Sequence, residues 1–175
     1  VVLLTHLHAD HIGSLGSFLS FCKNVLDKKV LLAAEEDTIV NILDQSGVHT
    51  DKYNFTTDFK ECEAKGLSIY VKREIHATDM LCCGFIFECN GEKIYYSGDA
   101  SNVPSDILNA FLSGEIKTMY QECTFLDTDS TSHFSLKKLC EIIPYEERQR
   151  VYCMHLGDDI EDDIVKAGFR VPKVV

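Results

Sequence analysis

The stretch "THLHADHIG", residues 5–13, follows directly on the apolar run "VVLL" and puts three histidines and an aspartate into nine positions. "VVLL" reads as a short buried strand, bounded at once by polar residues. A chain leaving a strand in extended form projects residues i and i+2 to the same side. His6 and His8 can therefore bind one ion together. Neutral imidazole is the commonest metal ligand, and a carboxylate is the natural oxygen donor beside it. Asp10 and His11 follow as the chain turns into "IGSLGSFLSFCKNVL", where apolar residues recur at helical spacing, and they can face a second ion. The local stereochemistry asks for a strand, a loop serving two metals, and a helix.

The remaining punctuation predicts an alternating α/β chain. "KVLLAA" reads as a strand, and "EEDTIVNILDQSG" as a helix with acidic residues in its first turn and Gly47 at its end. "VHTDKYNFTTDFKECEAKG" is polar and reads as a loop with little regular structure. "LSIYVKREIH" alternates like a strand. "CGFIFECNGEKIYYSGD" reads as two strands joined at Asn90-Gly91, a strong hairpin signal. "PSDILNAFLSG" reads as a helix with Pro104 near its start and Gly114 past its end. Strand "IKTMYQECTF", helix "SLKKLCEII", strand "VYCMH", helix "DDIEDDIVKAG" and a final strand "FRVPKVV" complete the order. No internal repeat, low-complexity tract or linker interrupts it, so residues 1–175 are expected to form one domain.

Composition narrows the class. The chain has 175 residues, 45% of them hydrophobic, enough for a core. No apolar run approaches the length needed to span a bilayer. The eight cysteines are scattered without a C-x-x-C zinc motif, and several sit in strand-like apolar runs. Free thiols of a cytoplasmic protein fit this better than a disulfide framework. A net charge of −11 argues against a broad nucleic-acid surface. It leaves room for a phosphate substrate, because two bound divalent ions would add about four positive charges to a cleft.

A two-metal site needs more donors than residues 6–11 supply. His76, Asp99 and His155 each stand just past the end of an expected strand. Ligands gather at the carboxyl ends of strands in open α/β sheets. His49 lies in a polar stretch and reads as a surface residue. "DDIEDD" lacks the spacing of a calcium loop and reads as a solvated helix start.

"THLHADHIG" resembles the H-x-H-x-D-H signature of the metallo-β-lactamase-fold hydrolases. "GEKIYYSGDAS" resembles the segment that carries their bridging aspartate, and "VYCMHLGDD" their closing strand and histidine. His76, ahead of "CCGFIFE", matches the third ligand segment less sharply. The resemblance implies His6, His8 and His76 on one metal, Asp10, His11 and His155 on the other, and Asp99 between them. It also implies an αββα sandwich. Family members usually have several strands before the histidine loop, so the resemblance implies a chain lacking the first strands of its N-terminal sheet. The apolar edge thereby left unpaired would favour self-association, a homodimer included.

Within the superfamily, "QECTF" followed by "SHFS" resembles the His-Glu-Ala-Thr segment and later histidine of the ribonuclease Z branch. Glu122 and His133 then become the proton-donating pair. The match departs at Gln121 and Cys123. The 22 residues "ATDMLCCGFIFECNGEKIYYSG" between His76 and Asp99 leave no room for the long tRNA-binding insertion of that branch. Other branches match less well: "IHATDM" is not the "HTPGH" of glyoxalase II and lactonases, the best-known zinc β-lactamases have cysteine where Asp99 stands, and the diiron flavoproteins have glutamate where His8 stands.

The resemblance implies a binuclear metal-dependent hydrolase of phosphodiesters, with zinc as its ions and manganese or iron(II) as alternatives. Asp10 would bind metal and orient a bridging water. His133, held by Glu122, would protonate the leaving alkoxide. The expected substrate is a small-molecule or nucleotide phosphodiester, not structured tRNA and not a membrane. Ester, thioester or lactone hydrolysis on the same scaffold, and a non-catalytic metal-binding fragment, are the alternatives.

Overall fold

The computed structural model describes residues 1–77, 80–126, 132–156 and 159–173. The chain divides into two compact units, Val1–Lys65 and Gly66–Val175.

In the first unit three short strands pair in parallel in the order β1 (Val2–Leu3), β2 (Val30–Ala33), β3 (Tyr53–Thr56). Between β1 and β2 lie a four-residue helical turn, α1 (Ala9–Ile12), and the helix α2 (Leu15–Asn24). Asp10 and His11 thus sit on a separate turn, with Gly13 and Ser14 between it and α2, and do not lie in an extended lead-in. Leu15, Leu19, Leu32, Ile39, Leu43, Val48 and Tyr53 form the core of this unit. Leu19, Leu32 and Ile39 are completely buried, each contributing about 1.5–3 kcal/mol of transfer free energy.

Two expectations for this unit are corrected. Helix α3 (Thr38–Gln45) has no acidic residue in its first turn. Glu35, Glu36 and Asp37 precede it, and the apolar pair Ile39 and Leu43 sets its register. The polar stretch from Val48 is not a loop throughout. Tyr53–Thr56 is β3, paired with β2 from Val30↔Tyr53 to Ala33↔Thr56, and Phe59–Cys62 is a 3₁₀ turn capped by the Asp58 side chain. The buried residues Tyr53, Thr56, Phe59 and Cys62 carry it, spaced by polar neighbours that masked them in the sequence.

The second unit is built on a five-stranded sheet in sequence order: β4 (Leu67–Glu74), β5 (Cys82–Cys89), β6 (Glu92–Tyr96), β7 (Ile116–Glu122), β8 (Val151–Met154). The first two pairings are antiparallel and the last two parallel. β5 and β6 turn at Asn90 (φ 53°) and Gly91 (φ 81°), both left-handed, as an Asn-Gly hairpin requires. Helices α4 (Ser105–Leu112), α5 (Leu136–Ile142) and α6 (Glu161–Lys166) bring Ile107, Phe111, Leu139 and Ile164 into one core with Tyr95, Met119, Val151 and Cys153. The expected final strand is reduced to one bridge, Tyr152↔Arg170; residues 174 and 175 lie outside the described residues.

This topology settles where the candidate residues go. β4, β6, β7 and β8 all run the same way, so their carboxyl ends share one edge of the sheet. His76, Asp99, Glu122 and His155 lie at or just past those four ends.

Candidate functional site

In the first unit the histidine loop folds on itself. His8, extended at φ −63° and ψ 151°, precedes α1, so His6 and His8 fall on one side. Their Nε2 and Nδ1 atoms stand 2.9 Å apart. Two imidazole nitrogens on one tetrahedral zinc ion, each bonded at about 2.0–2.1 Å, stand about 3.3 Å apart, so an ion fits with a slight opening of the pair. Thr5 Oγ1 lies 3.0 Å from His6 Nδ1. With Nδ1 donating to that hydroxyl, Nε2 keeps its lone pair for a metal. The His11 ring packs 4.1 Å from that of His6, and His11 Nε2 lies 3.4 Å from Asp10 Oδ2. His6 is buried and Asp10 exposed.

In the second unit, the Nδ1–H of His76 donates to the main-chain oxygen of Ser132 at 2.7 Å. That bond fixes the ring and leaves Nε2 as the donor atom for an ion. Ser101 binds the carbonyl just before it twice, by its N–H (2.7 Å) and by its hydroxyl (2.9 Å), both to Ile75 O. The chain after Asp99 is so tied to the chain before His76.

Asp99 is buried, and its Oδ2 lies 3.3 Å from His155 Nε2. On the other side of that ring, His155 Nδ1 lies 3.5 Å from Glu122 Oε1. The same Glu122 oxygen accepts from Nδ1 of His133. Glu122, His133 and His155 offer ligand atoms all within 4.8 Å of one another. Glu122 therefore serves two imidazoles, where the sequence assigned it to His133 alone. His155 holds a left-handed backbone (φ 55°), uncommon for a residue with a β-carbon and a mark of functional sites. The imidazoles of His133 and His155 stack at 5.7 Å, and that of His76 meets His133 at 5.4 Å.

Glu122 is fully buried, and its Oε2 has no hydrogen-bond partner among the described residues. A buried carboxylate oxygen left open is costly unless a cation or further donor meets it. The donor set thus fits divalent metal: imidazole nitrogens oriented by outer hydrogen bonds, and carboxylates with unused capacity.

Further groups behind the sheet edge escaped the sequence reading. Glu74 accepts from Tyr95 Oη at 2.7 Å. Burial pushes its carboxyl up to about 7, against the Tyr95 hydrogen bond, which acts the other way. Burial likewise pushes the Cys82 thiol up to about 12. All eight cysteines are free, and Cys82 and Cys83 are buried. His49 is exposed and pairs with Asp44 at 2.6 Å, outside any site. Ser97 and Ser101 act through main-chain partners, and Ser132 through its own main-chain oxygen on His76, and no spacing in the sequence announces such bonds.

A family model described as Anti-Pycsar protein Apyc1 matches residues 1–171. The chain belongs to this family. It is 27% identical over 192 residues to an Anti-Pycsar protein Apyc1 of Bacillus phage BSP38, covering 95% of this chain and 72% of that protein. Among solved structures it is similar to the metallo-β-lactamase fold protein YhfI from Bacillus subtilis, with a TM-score of 0.73 and 19% identity over 98% of this chain and 74% of that one. It is also similar to a diphosphatase of the PhnP family, with a TM-score of 0.69 and 17% identity over 97% and 67% of the two chains. The fold is that of the metallo-β-lactamase proteins, an α/β chain as expected. A further similar structure is that of human tRNase Z, short form, with a TM-score of 0.60 and 17% identity over 88% and 71% of the two chains. No helix among the described residues is long and apolar enough to cross a membrane.

Proposed function

We propose that this protein is a metal-dependent phosphodiesterase that opens the ring of a small cyclic nucleotide. The observation that carries the reading is Glu122, whose one oxygen meets both His133 and His155 while His155 faces Asp99 on its other side. One imidazole of that array is turned towards the expected metal donors. The other is held by the same carboxylate and is 43% exposed at its side chain. Membership of a family named for opposing Pycsar favours a nucleotide over the ester, thioester and lactone alternatives.

His6, His8, Asp10, His11, His76, Asp99 and His155 would hold two divalent ions, with zinc the first choice for so many imidazoles. Such ions would supply the positive charge that stabilises a transferring phosphoryl group. The chain's own contribution is proton management. Water adds to phosphorus, the bond to the ring ester oxygen breaks, and the proton that water gives up returns through solvent to reprotonate His133 for the next turnover. His133, with Nδ1 bound to Glu122, presents Nε2 and gives its proton to that oxygen, which leaves as an alcohol. General acid catalysis of this kind contributes roughly 10²–10⁴-fold. Asp10, exposed beside the histidine loop, orients the attacking water. The net charge of −11 disfavours a long polynucleotide, which favours a small substrate.

The test is a substrate panel on metal-replete protein: 3′,5′-cyclic nucleotides, bis-p-nitrophenyl phosphate, a thioester, a lactone and nitrocefin. Chelator-sensitive hydrolysis of the phosphodiesters alone is the expected result. Turnover of the thioester or lactone with inert phosphodiesters would overturn the proposal.

A further inference from the structure

We infer that Ser97 is a positioning residue that sets the proton-donating pair; the inference rests on the phosphodiesterase reading above. β6 and β7 pair in parallel up to Tyr96↔Tyr120, and the Ser97 N–H extends the ladder by one bond to Tyr120 O at 2.9 Å. Then β6 ends. Gly98 turns left-handed (φ 57°) and the chain swings to Asp99. The next amide of β7 that faces β6, that of Glu122, has no main-chain partner there. The Ser97 hydroxyl takes its place, accepting from Glu122 N at 2.9 Å and donating to Gly98 O at 2.7 Å. The following amide, Cys123 N, has already turned to the other neighbour and donates to Met154 O at 3.0 Å.

One hydroxyl therefore closes the sheet at the residue that holds His133, two positions before Asp99. Ser97 is fully buried, so bulk water does not stand in for its oxygen. Ser97→Ala leaves the Glu122 amide without an acceptor and frees the end of β7 to shift. Glu122 carries His133 with it, and a misplacement of about 1 Å at a proton donor costs on the order of 10²-fold.

The test compares kcat on two phosphodiesters for the full metal-loaded chain. A 3′,5′-cyclic nucleotide expels an alkoxide that needs a proton. Bis-p-nitrophenyl phosphate expels a phenolate that does not. Ser97→Ala is expected to keep its metal and to lose at least about tenfold on the cyclic nucleotide, against less than about threefold on the aryl ester. The ratio of the two rates does not depend on the folded fraction, so a destabilised variant still reports. Ser97→Thr, which restores the hydroxyl, should restore the ratio even where stability falls. An unchanged ratio in Ser97→Ala, or metal loss with equal damage to both substrates, overturns the inference and leaves Ser97 a structural residue. A wild-type chain that hydrolyses neither diester overturns the phosphodiesterase reading instead.

Discussion

Glu122 Oε1 accepts a hydrogen bond from His133 Nδ1, although the two stand eleven positions apart in the chain. β7 delivers the carboxylate. The bridge Thr124↔Ser135 returns the chain to the same place, with Thr124 N donating to Phe134 O and Leu136 N to Thr124 O, both at 2.9 Å. A histidine so anchored has its Nδ1 committed and its Nε2 available, the arrangement of a general acid.

The first prediction follows from that commitment. His133→Ala should leave bound metal unchanged and slow hydrolysis of a phosphodiester with an alkoxide leaving group by on the order of 10²-fold or more. With p-nitrophenolate leaving, the loss should be far smaller. Steady-state rates on the two substrates, with metal content measured on the same samples, check this. Equal losses on both would reduce His133 to a structural role.

The second concerns Asp99, the buried carboxylate assigned to both ions. Asp99→Ala should drop the metal content from about two ions per chain towards one or none, and activity with it. Asp99→Asn, which keeps the volume and loses the charge, should fail as well, because bridging two cations requires the anion. Elemental analysis of dialysed protein decides it. Full metal content in Asp99→Ala would refute the bridging assignment.

How much of this was visible beforehand differs by element. The histidine loop, the hairpin at Asn90-Gly91 and the strand ends at Asp99 and His155 declare themselves through local spacing, because metal chemistry and turns are both short-range. β3 did not, since its two buried residues, Tyr53 and Thr56, leave only a faint pattern, and parallel pairing to β2 is a long-range contact. The final strand was overcalled for a related reason. "FRVPKVV" has strand-like residues, but Pro172 removes a ladder donor, and the pairing extends only to Arg170. The acid pair was legible only through resemblance, and the serines that tie its surroundings together were not legible at all.

The third prediction tests the packing behind the site. A β-carbon added at Gly84 would stand 2.6 Å from Tyr96 O, 3.1 Å from Glu74 Oε1 and 3.2 Å from Ser97 O. Two of these are main-chain atoms of the segment leading to Asp99 and cannot swing aside. Gly84→Ala should therefore cost about 1–3 kcal/mol as an overpacking change and weaken metal binding along with stability. Urea unfolding with and without metal measures both. A neutral substitution would show that β5 and β6 are free to separate at this point.

The fourth prediction lies away from the chemistry and concerns what keeps the second unit folded. Arg148 donates to three main-chain oxygens: from Nε to Ile143 (3.0 Å), from Nη1 to Ala167 (2.9 Å) and from Nη2 to Cys140 (2.7 Å). These carbonyls belong to the closing turns of α5 and α6, where helices leave acceptors unpaired and the dipole favours a cation. Phe169 and Tyr145 cover the guanidinium at 5.2 and 5.5 Å from their ring centres. One side chain thus terminates two helices at once. Arg148→Ala should cost about 2–4 kcal/mol, given charge-assisted bonds worth about 1.5–3 kcal/mol each and partial re-solvation of the carbonyls. Arg148→Lys should recover less than half of that, because a lysine ammonium cannot span three acceptors held in the plane of a fork. The shift in urea midpoint at constant slope gives the number. A loss below about 1 kcal/mol would mean that the three bonds are made equally well by water.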